Sequence, residues 1–136
     1  MSGLVLDASI AAAWLIDDEA VQRAFGTLDR VRQEGGLVPP LWHFEIGNAL
    51  VVAERRKRLP EGGAGARLAA LGQLPISTDQ APDLQATIEL AIAHGLSLYD
   101  ATYVELGKRH SLPLATLDRS LAHAAREEGL QVISEA

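Results

Sequence analysis

The chain has 136 residues, which is the length of one domain and enough to bury a hydrophobic core without disulfides or structural metals. It contains no cysteine, so disulfide bonds, thiolate catalysis and zinc–thiolate sites are excluded. Its net charge of −6 counts against broad electrostatic binding of nucleic acid, which requires a basic surface.

We expect one domain over residues 1–136 and a cytoplasmic location. The first residues lack the basic segment of a signal peptide, and Asp7 interrupts the apolar run at the N-terminus. No stretch of the chain reaches the roughly 18 uncharged apolar residues that a membrane-spanning helix needs.

In chain order, five short apolar runs alternate with segments of helical periodicity. The runs predict strands at residues 4–6, 37–39, 74–77, 114–117 and 131–133. Because they are short and continuously apolar, they are typical of buried parallel strands. The periodic segments predict helices at residues 21–31, 41–57, 67–71, 84–92, 98–110 and 119–128, the last with Gly129 as C-cap. Residues 60–66 are glycine-rich and predict a connection between helices. The alternation predicts an α/β fold with a parallel sheet covered on both faces.

Two aspartates directly follow predicted strands. Asp7 comes after the first strand and Asp118 after the fourth, at the carboxyl ends where open α/β sheets bind ligands. Each taken alone is more typical of an N-cap for the next helix. Two strands that both end on aspartate are a more specific sign of a ligand site than one. We therefore interpret Asp7 and Asp118 as part of such a site.

Asp100 and Glu45 are two further candidates. Asp100 follows Ser97 by three residues, the spacing of a capping box, but the residues after it are mostly apolar and indicate a covered helix start. Glu45 lies between Phe44 and Ile46, with no lysine or arginine one helical turn away to pair with it. Both carboxylates are therefore expected to face the protein, where a buried acid needs a partner.

Four carboxylates in one place would repel one another by several kcal/mol unless a cation lay among them. Ligand sets made of oxygen alone select hard cations, which favours Mg²⁺ or Mn²⁺ over zinc. Such a site can activate a water molecule and neutralise a scissile phosphate. The net negative charge is then compatible with a nucleic acid substrate, because the metal rather than lysine or arginine meets the phosphate.

With these residues in place, the sequence resembles the PIN-domain family and, within it, the VapC-like ribonuclease toxins of toxin–antitoxin pairs. The resemblance spans essentially the whole chain in the expected order. It is carried by Val5-Leu6-Asp7-Ala8-Ser9, Pro39-Pro40 leading to Glu45-Ile46-Gly47-Asn48, Ser97-Leu98-Tyr99-Asp100-Ala101, and Thr116-Leu117-Asp118.

The resemblance implies a three-layer α/β/α fold with a five-stranded parallel sheet, in which the first and fourth strands are neighbours. It implies that Asp7, Glu45, Asp100 and Asp118 hold one or two Mg²⁺ or Mn²⁺ ions and hydrolyse RNA. It further implies an inhibitory antitoxin, a homodimer, and contact with operator DNA only through the antitoxin. Ser9, Asn48 and Thr116 match the family's supporting polar positions, which orient the carboxylates; ordinary capping and helix-face hydrogen bonds are the alternative.

Two other enzyme classes that gather acids at strand ends are disfavoured by the sequence. A dehalogenase-type phosphatase would need an aspartate where the chain has Ser9. A receiver domain would need a lysine after a late strand, and none follows residues 131–133. Two alternative functions stay open. One is a housekeeping RNA-processing nuclease without an antitoxin, and the other is a non-catalytic binding module. A module without catalytic activity would have no need of a repulsive acid cluster.

Several remaining residues receive weaker interpretations. The four histidines, His43, His94, His110 and His123, form no metal-ligand pattern, although His43 is near enough to Glu45 to line the groove. The basic residues 55–58 are interpreted as a solvated helix end, with RNA contact as the alternative. Residues near the N-terminal helices are candidates to face a partner instead of the core: Trp14, Ile16, Phe25 and Leu28.

Overall fold

The computed structural model describes residues 3–16 and 18–133, and for residues 18–23 and 25 it describes the backbone alone. Its centre is a five-stranded, fully parallel sheet with the strand order β3-β2-β1-β4-β5. The strands are β1 (Leu4–Leu6), β2 (Gly36–Val38), β3 (Ile76–Thr78), β4 (Leu114–Ala115) and β5 (Val132–Ile133). The predicted α/β/α fold with a parallel sheet is confirmed.

Seven helices flank this sheet within the described residues. They are α1 (Ala8–Ile16), α2 (Asp18–Glu34), α3 (Leu41–Arg55), α4 (Gly63–Leu71), α5 (Leu84–His94), α6 (Leu98–His110) and α7 (Arg119–Glu127). Helix α1 packs against α2 and α3, whereas α6 packs against α5, α7 and the central strands. The central strands β1 and β4 are thereby fully buried, as is typical of a parallel sheet, whereas the edge strands β3 and β5 are partly exposed.

The central strand β1 positions the functional end of the sheet. All three of its residues are fully buried, and Leu6 pairs in register with Ala115 of β4. The backbone N–H of Asp7 donates to the carbonyl oxygen of Ala115 at 3.0 Å, so the pairing continues one residue beyond the strand. The loops that follow β1 and β4 therefore leave the sheet side by side, and the predicted adjacency of these strands is confirmed.

Helix α4 is the clearest difference from the sequence-based expectation. It begins at Gly63, within the segment predicted as a connection, because its start is satisfied from outside the local sequence. The backbone N–H of Ala64 donates to Glu54 Oε1 of α3 at 2.8 Å, which supplies the cap that the glycine-rich residues lack. The N-cap residue itself, Gly62, has a φ of 81°, a conformation that favours glycine.

The remaining differences are at element boundaries. Strands β2 and β3 lie one or two residues from the predicted positions, and α3 ends at Arg55, two residues before the predicted end. Helix α1 is indicated in the sequence only as the helix that Asp7 would cap, because its own residues are apolar on every side and have no amphipathic period. Gly129 lies beyond α7 with a φ of 87°, after the C-cap residue Glu128.

The N-terminal apolar residues mostly serve the fold. Trp14 is partly buried against the core, and its Nε1 donates to the carbonyl oxygen of Ala24 at 3.2 Å. Ile16 packs against the same core and Leu28 is half-buried, while the side chain of Phe25 lies outside the described residues. Within residues 3–16 and 18–133, no helix combines the length and hydrophobicity needed to cross a membrane.

Candidate active site

Asp7 lies where β1 ends and is only 7% exposed. Its Oδ2 accepts two hydrogen bonds, from Ser9 Oγ at 2.8 Å and from Thr116 Oγ1 at 2.6 Å. Ser9 is on α1 and Thr116 directly follows β4, so the carboxylate is held from both neighbouring strand ends. A backbone hydrogen bond from Ala8 adds to these two in stabilising the carboxylate.

The same two hydroxyls also accept hydrogen bonds from the β4–α7 loop. Ser9 Oγ accepts from the backbone N–H of Leu117, and Thr116 Oγ1 accepts from the backbone N–H of Asp118, both at 3.0 Å. Each hydroxyl is therefore an acceptor towards the loop and a donor towards Asp7, which fixes the direction of its proton. The network joins the loop that carries Asp118 to the buried carboxylate of Asp7.

The other two aspartates lie at helix starts. Asp118 is the N-cap of α7, and its Oδ1 accepts from the backbone N–H of Leu121 at 3.1 Å. Asp100 is in the first turn of α6, where its backbone N–H donates to Ser97 Oγ at 3.0 Å. No bond from the Ser97 amide to the Asp100 carboxylate completes a capping box among the described residues, so this carboxylate is not used as a cap.

Glu45 has a partner that its sequence neighbours did not indicate. The hydroxyl of Tyr103 on α6 donates a short hydrogen bond to Glu45 Oε1. Tyr103 is fully buried, and burial together with the bond to Glu45 raises the pKa of its phenol far above its usual range. The phenol therefore remains a donor, and it fixes one oxygen of a half-buried carboxylate.

The acids influence one another electrostatically. Burial raises the pKa of Asp7, and the charge of Asp100 raises it further, against the hydrogen bonds from Thr116 and Ser9. Burial likewise raises the pKa of Glu45, with added repulsion from Asp7 and Asp100. For Asp100, burial and then the charge of Asp118 raise the pKa. All four predicted residues thus belong to one electrostatic cluster.

The chemistry of this cluster fits a hard divalent cation. No cationic side chain of the described residues lowers the pKa of Asp7, Glu45 or Asp100, so their mutual repulsion is not offset within the protein. In residues 3–16 and 18–133, no three acidic or histidine side chains already lie close enough to hold a metal ion together. The donors fit Mg²⁺ or Mn²⁺ by type, and binding would have to draw the carboxylates closer.

The remaining candidates lie beside the cluster or away from it. Asn48 is exposed one turn after Glu45 and lines a groove with Ser9, but it donates to none of the four acids. His43 Nε2 lies 2.8 Å from Thr78 Oγ1 and not beside a carboxylate. Tyr103 is the residue that sequence reasoning missed, although its position three residues after Asp100 places both on one helix face.

The sequence is similar to those of known proteins. A family model described as "PIN domain" matches residues 4–127, which is most of the chain. The chain belongs to the PIN-domain family. Ribonuclease VapC3 of Pyrobaculum aerophilum is 33% identical over 123 residues, covering 88% of this chain and 92% of that relative. The predicted resemblance to VapC-like members of the PIN-domain family is therefore confirmed.

Solved structures share the fold. The crystal structure of PAE2754 from Pyrobaculum aerophilum superposes with a TM-score of 0.74 and 22% identity, covering 98% of this chain and 91% of that one. A toxin–antitoxin complex from Klebsiella pneumoniae contains a chain with a TM-score of 0.66 and 16% identity, with 98% of both chains covered. At these identities, the PIN-domain fold is what the structures have in common with this chain.

We predict that Asp7→Asn does not destabilise the metal-free protein at neutral pH. Because the pKa of Asp7 is raised in the folded state from its ordinary value of 3.8, ionisation costs folding stability as the pH rises through that raised pKa. The asparagine variant lacks this cost, while its side-chain oxygen still accepts from Ser9 and Thr116. Its free energy of unfolding should equal the parent's near pH 4 and be equal or higher at pH 7.

Urea unfolding in EDTA from about pH 4 to about pH 8 measures this difference. Asp83→Asn, at the exposed N-cap of α5, is the matched control for the same chemical change outside the cluster. A clear loss of stability for Asp7→Asn at pH 7, absent from Asp83→Asn, would contradict this prediction, because it would show that the ionised carboxylate stabilises the metal-free fold.

Proposed function

We propose that this chain is a metal-dependent endoribonuclease, the toxin of a VapBC-type toxin–antitoxin pair. The observation that carries the proposal is one electrostatic cluster of four acids, with Asp7 and Asp118 directly after β1 and β4 and with Asp7 buried and hydrogen-bonded by two hydroxyls. Membership of the PIN-domain family and the similarity to a ribonuclease support it. An acid cluster of this kind costs stability, which a purely structural or binding role does not explain.

In this proposal Asp7, Glu45, Asp100 and Asp118 hold Mg²⁺ or Mn²⁺. When bound, such a cation lowers the pKa of a water molecule and neutralises negative charge on the scissile phosphate. The hydroxyls of Ser9 and Thr116 favour the ionised form of Asp7 and orient its carboxylate. Tyr103 orients Glu45 through Oε1, and the raised pKa of Glu45 makes it a better proton acceptor than an ordinary glutamate.

An antitoxin partner is part of the proposal. Its support is the fold shared with a chain of a toxin–antitoxin complex. A ribonuclease toxin would damage the cell that makes it, and an inhibitor made alongside it would hold it inactive. A basic segment of such a partner would meet the acid cluster through charge-assisted hydrogen bonds.

We also propose that the protein forms a homodimer. Helix α5 carries an exposed apolar stripe at helical spacing, in which Ile92 is 79% exposed, Leu84 59% and Ile88 44%. Apolar side chains grouped on one helix face are typical of an association surface. Light scattering that gives the mass of a monomer would contradict this assignment.

We predict that the purified chain cleaves single-stranded or structured RNA only with Mg²⁺ or Mn²⁺ present. EDTA should abolish cleavage, and Asp100→Asn should lower kcat by about 100-fold or more, because it removes one charge from the cation site. Asp83→Asn serves as the control and should cleave like the parent. Cleavage that survives EDTA would rule out the metal mechanism.

We predict that Tyr103→Phe lowers the cleavage rate about 10- to 100-fold, the usual cost of losing a group that orients a metal-site carboxylate. The substitution keeps the buried ring and removes only the hydroxyl that holds Glu45. Tyr99→Phe removes a hydroxyl from an exposed ring on the same helix and should leave the rate unchanged. Equal rates for both variants would mean that the Tyr103–Glu45 bond has no part in the reaction.

Co-expression tests the toxin role separately from the enzymatic one. The chain expressed alone should arrest growth, a small neighbouring reading frame should restore it, and Asp100→Asn should be harmless without that neighbour. If the wild-type chain is tolerated alone and yet cleaves RNA in vitro, a housekeeping RNA-processing role replaces the toxin role.

A further inference from the structure

A groove of about 550 Å³ leads away from the acid cluster between α1 and α3. Ser9 and Asn48 line it beside the cluster, and Arg56 and Arg58 line it beyond the end of α3. Ser9 is the residue that donates to Asp7, so the groove and the candidate active site share a wall. Along α3, the distance from Glu45 to Arg55 is about 15 Å.

The two arginines of this groove are exposed. Neither Arg56 nor Arg58 forms an ion pair or a side-chain hydrogen bond with another described residue. Arg109, by contrast, is paired with Asp79 and Glu105, and Lys108 with Glu128. In a chain of net charge −6, two guanidinium groups in the groove beside the candidate site are a local concentration of positive charge.

We propose that this groove carries the RNA strand on one side of the cleavage site, and that Arg56 and Arg58 bind its backbone phosphates. The proposal rests on the ribonuclease function proposed above and adds the path of the substrate. Single-stranded nucleic acids follow grooves whose cations track the phosphate backbone. Guanidinium groups suit phosphates because they donate two parallel hydrogen bonds.

The charge at the far end of the groove favours RNA over a basic protein segment. The stretch between the acid cluster and the arginines is apolar and is lined by Ala12, Ala13, Ile16, Ala49, Val52, Ala53 and Leu117. The phosphates of a strand lying along it would therefore meet their cationic partners at Arg56 and Arg58. The arginines would also repel a basic peptide directed to the acid cluster.

The test replaces both arginines by glutamine and measures RNA cleavage with Mn²⁺ over a range of salt concentrations. KM should rise about tenfold, as expected for two exposed charge contacts, with kcat within about twofold of the parent. The slope of log KM against log salt should fall by about 1.4, because each lost phosphate contact removes about 0.7 for a single strand. The double substitution Arg56→Lys and Arg58→Lys keeps the charges and should preserve most of the slope.

The matched control replaces Arg32 and Arg126 by glutamine, which removes the same charge from exposed positions on α2 and α7 outside the groove. An equal salt slope for the groove and control variants would overturn the proposal. So would a groove variant that binds RNA normally but loses antitoxin binding, since the groove would then be a protein interface. Unchanged thermal unfolding of each variant establishes that the fold is intact.

Fluorescence anisotropy separates this proposal from the enzymatic one. A labelled single-stranded RNA is titrated with Asp100→Asn protein, with and without the arginine substitutions. If the parent proves to have no nuclease activity but the arginine substitutions weaken binding and lower its salt slope, the proposed function fails while the RNA path stands. If the parent cleaves RNA and binding is unaffected by the arginines, only the RNA path is wrong.

Discussion

The site depends on the way two hydroxyls hold one buried carboxylate. Ser9 and Thr116 both donate to Asp7 Oδ2, and both accept from backbone N–H groups of the β4–α7 loop. The bonds therefore link β1, α1 and the end of β4 in a single network. Without it, Asp7 would be a buried acid with little compensation for its lost hydration. With it, a negative charge can be held at the end of the central strand.

The cluster around Asp7 is arranged at a cost to folding. Three of the four acids have a raised pKa, with burial as the largest cause and the neighbouring negative charges adding to it. Proteins concentrate such unfavourable charge where a ligand or a reaction later uses it. Tyr103 and the two hydroxyls limit the cost by hydrogen bonding, and a divalent cation would remove most of what remains. The same arrangement reconciles the acidic chain with an anionic substrate.

The sequence was most informative where chemistry and topology coincide. Asp7 and Asp118 were predictable because parallel strands place their carboxyl ends at one edge of the sheet, so two strands that end on aspartate indicate a shared site. The assignment of all four acids to catalysis stays a prediction. The fold class followed from the alternation of apolar runs with helical periods, and only the boundaries moved.

The features that escaped prediction depend on partners distant in the chain. Glu45 is hydrogen-bonded by Tyr103, which lies 58 residues later in the chain, so no local sequence pattern could predict the contact. The start of α4 is capped by Glu54 from another helix, so its own glycine-rich sequence is typical of a loop. Helix α1 is apolar on every side, so it has no amphipathic period from which its bounds could be predicted. In each case tertiary contact, rather than local propensity, decides the structure.

The most direct test of the account is the binding of Mn²⁺ itself, measured by isothermal titration calorimetry on the metal-free protein. Mn²⁺ should bind saturably to the parent and to Asp83→Asn, and binding should be lost in both Asp7→Asn and Asp100→Asn, while all four proteins remain folded. Thermal unfolding with Mn²⁺ should show the same division, since a ligand stabilises only the protein that binds it. Equal binding by the parent and the two cluster variants would contradict the central claim that these carboxylates form the metal site.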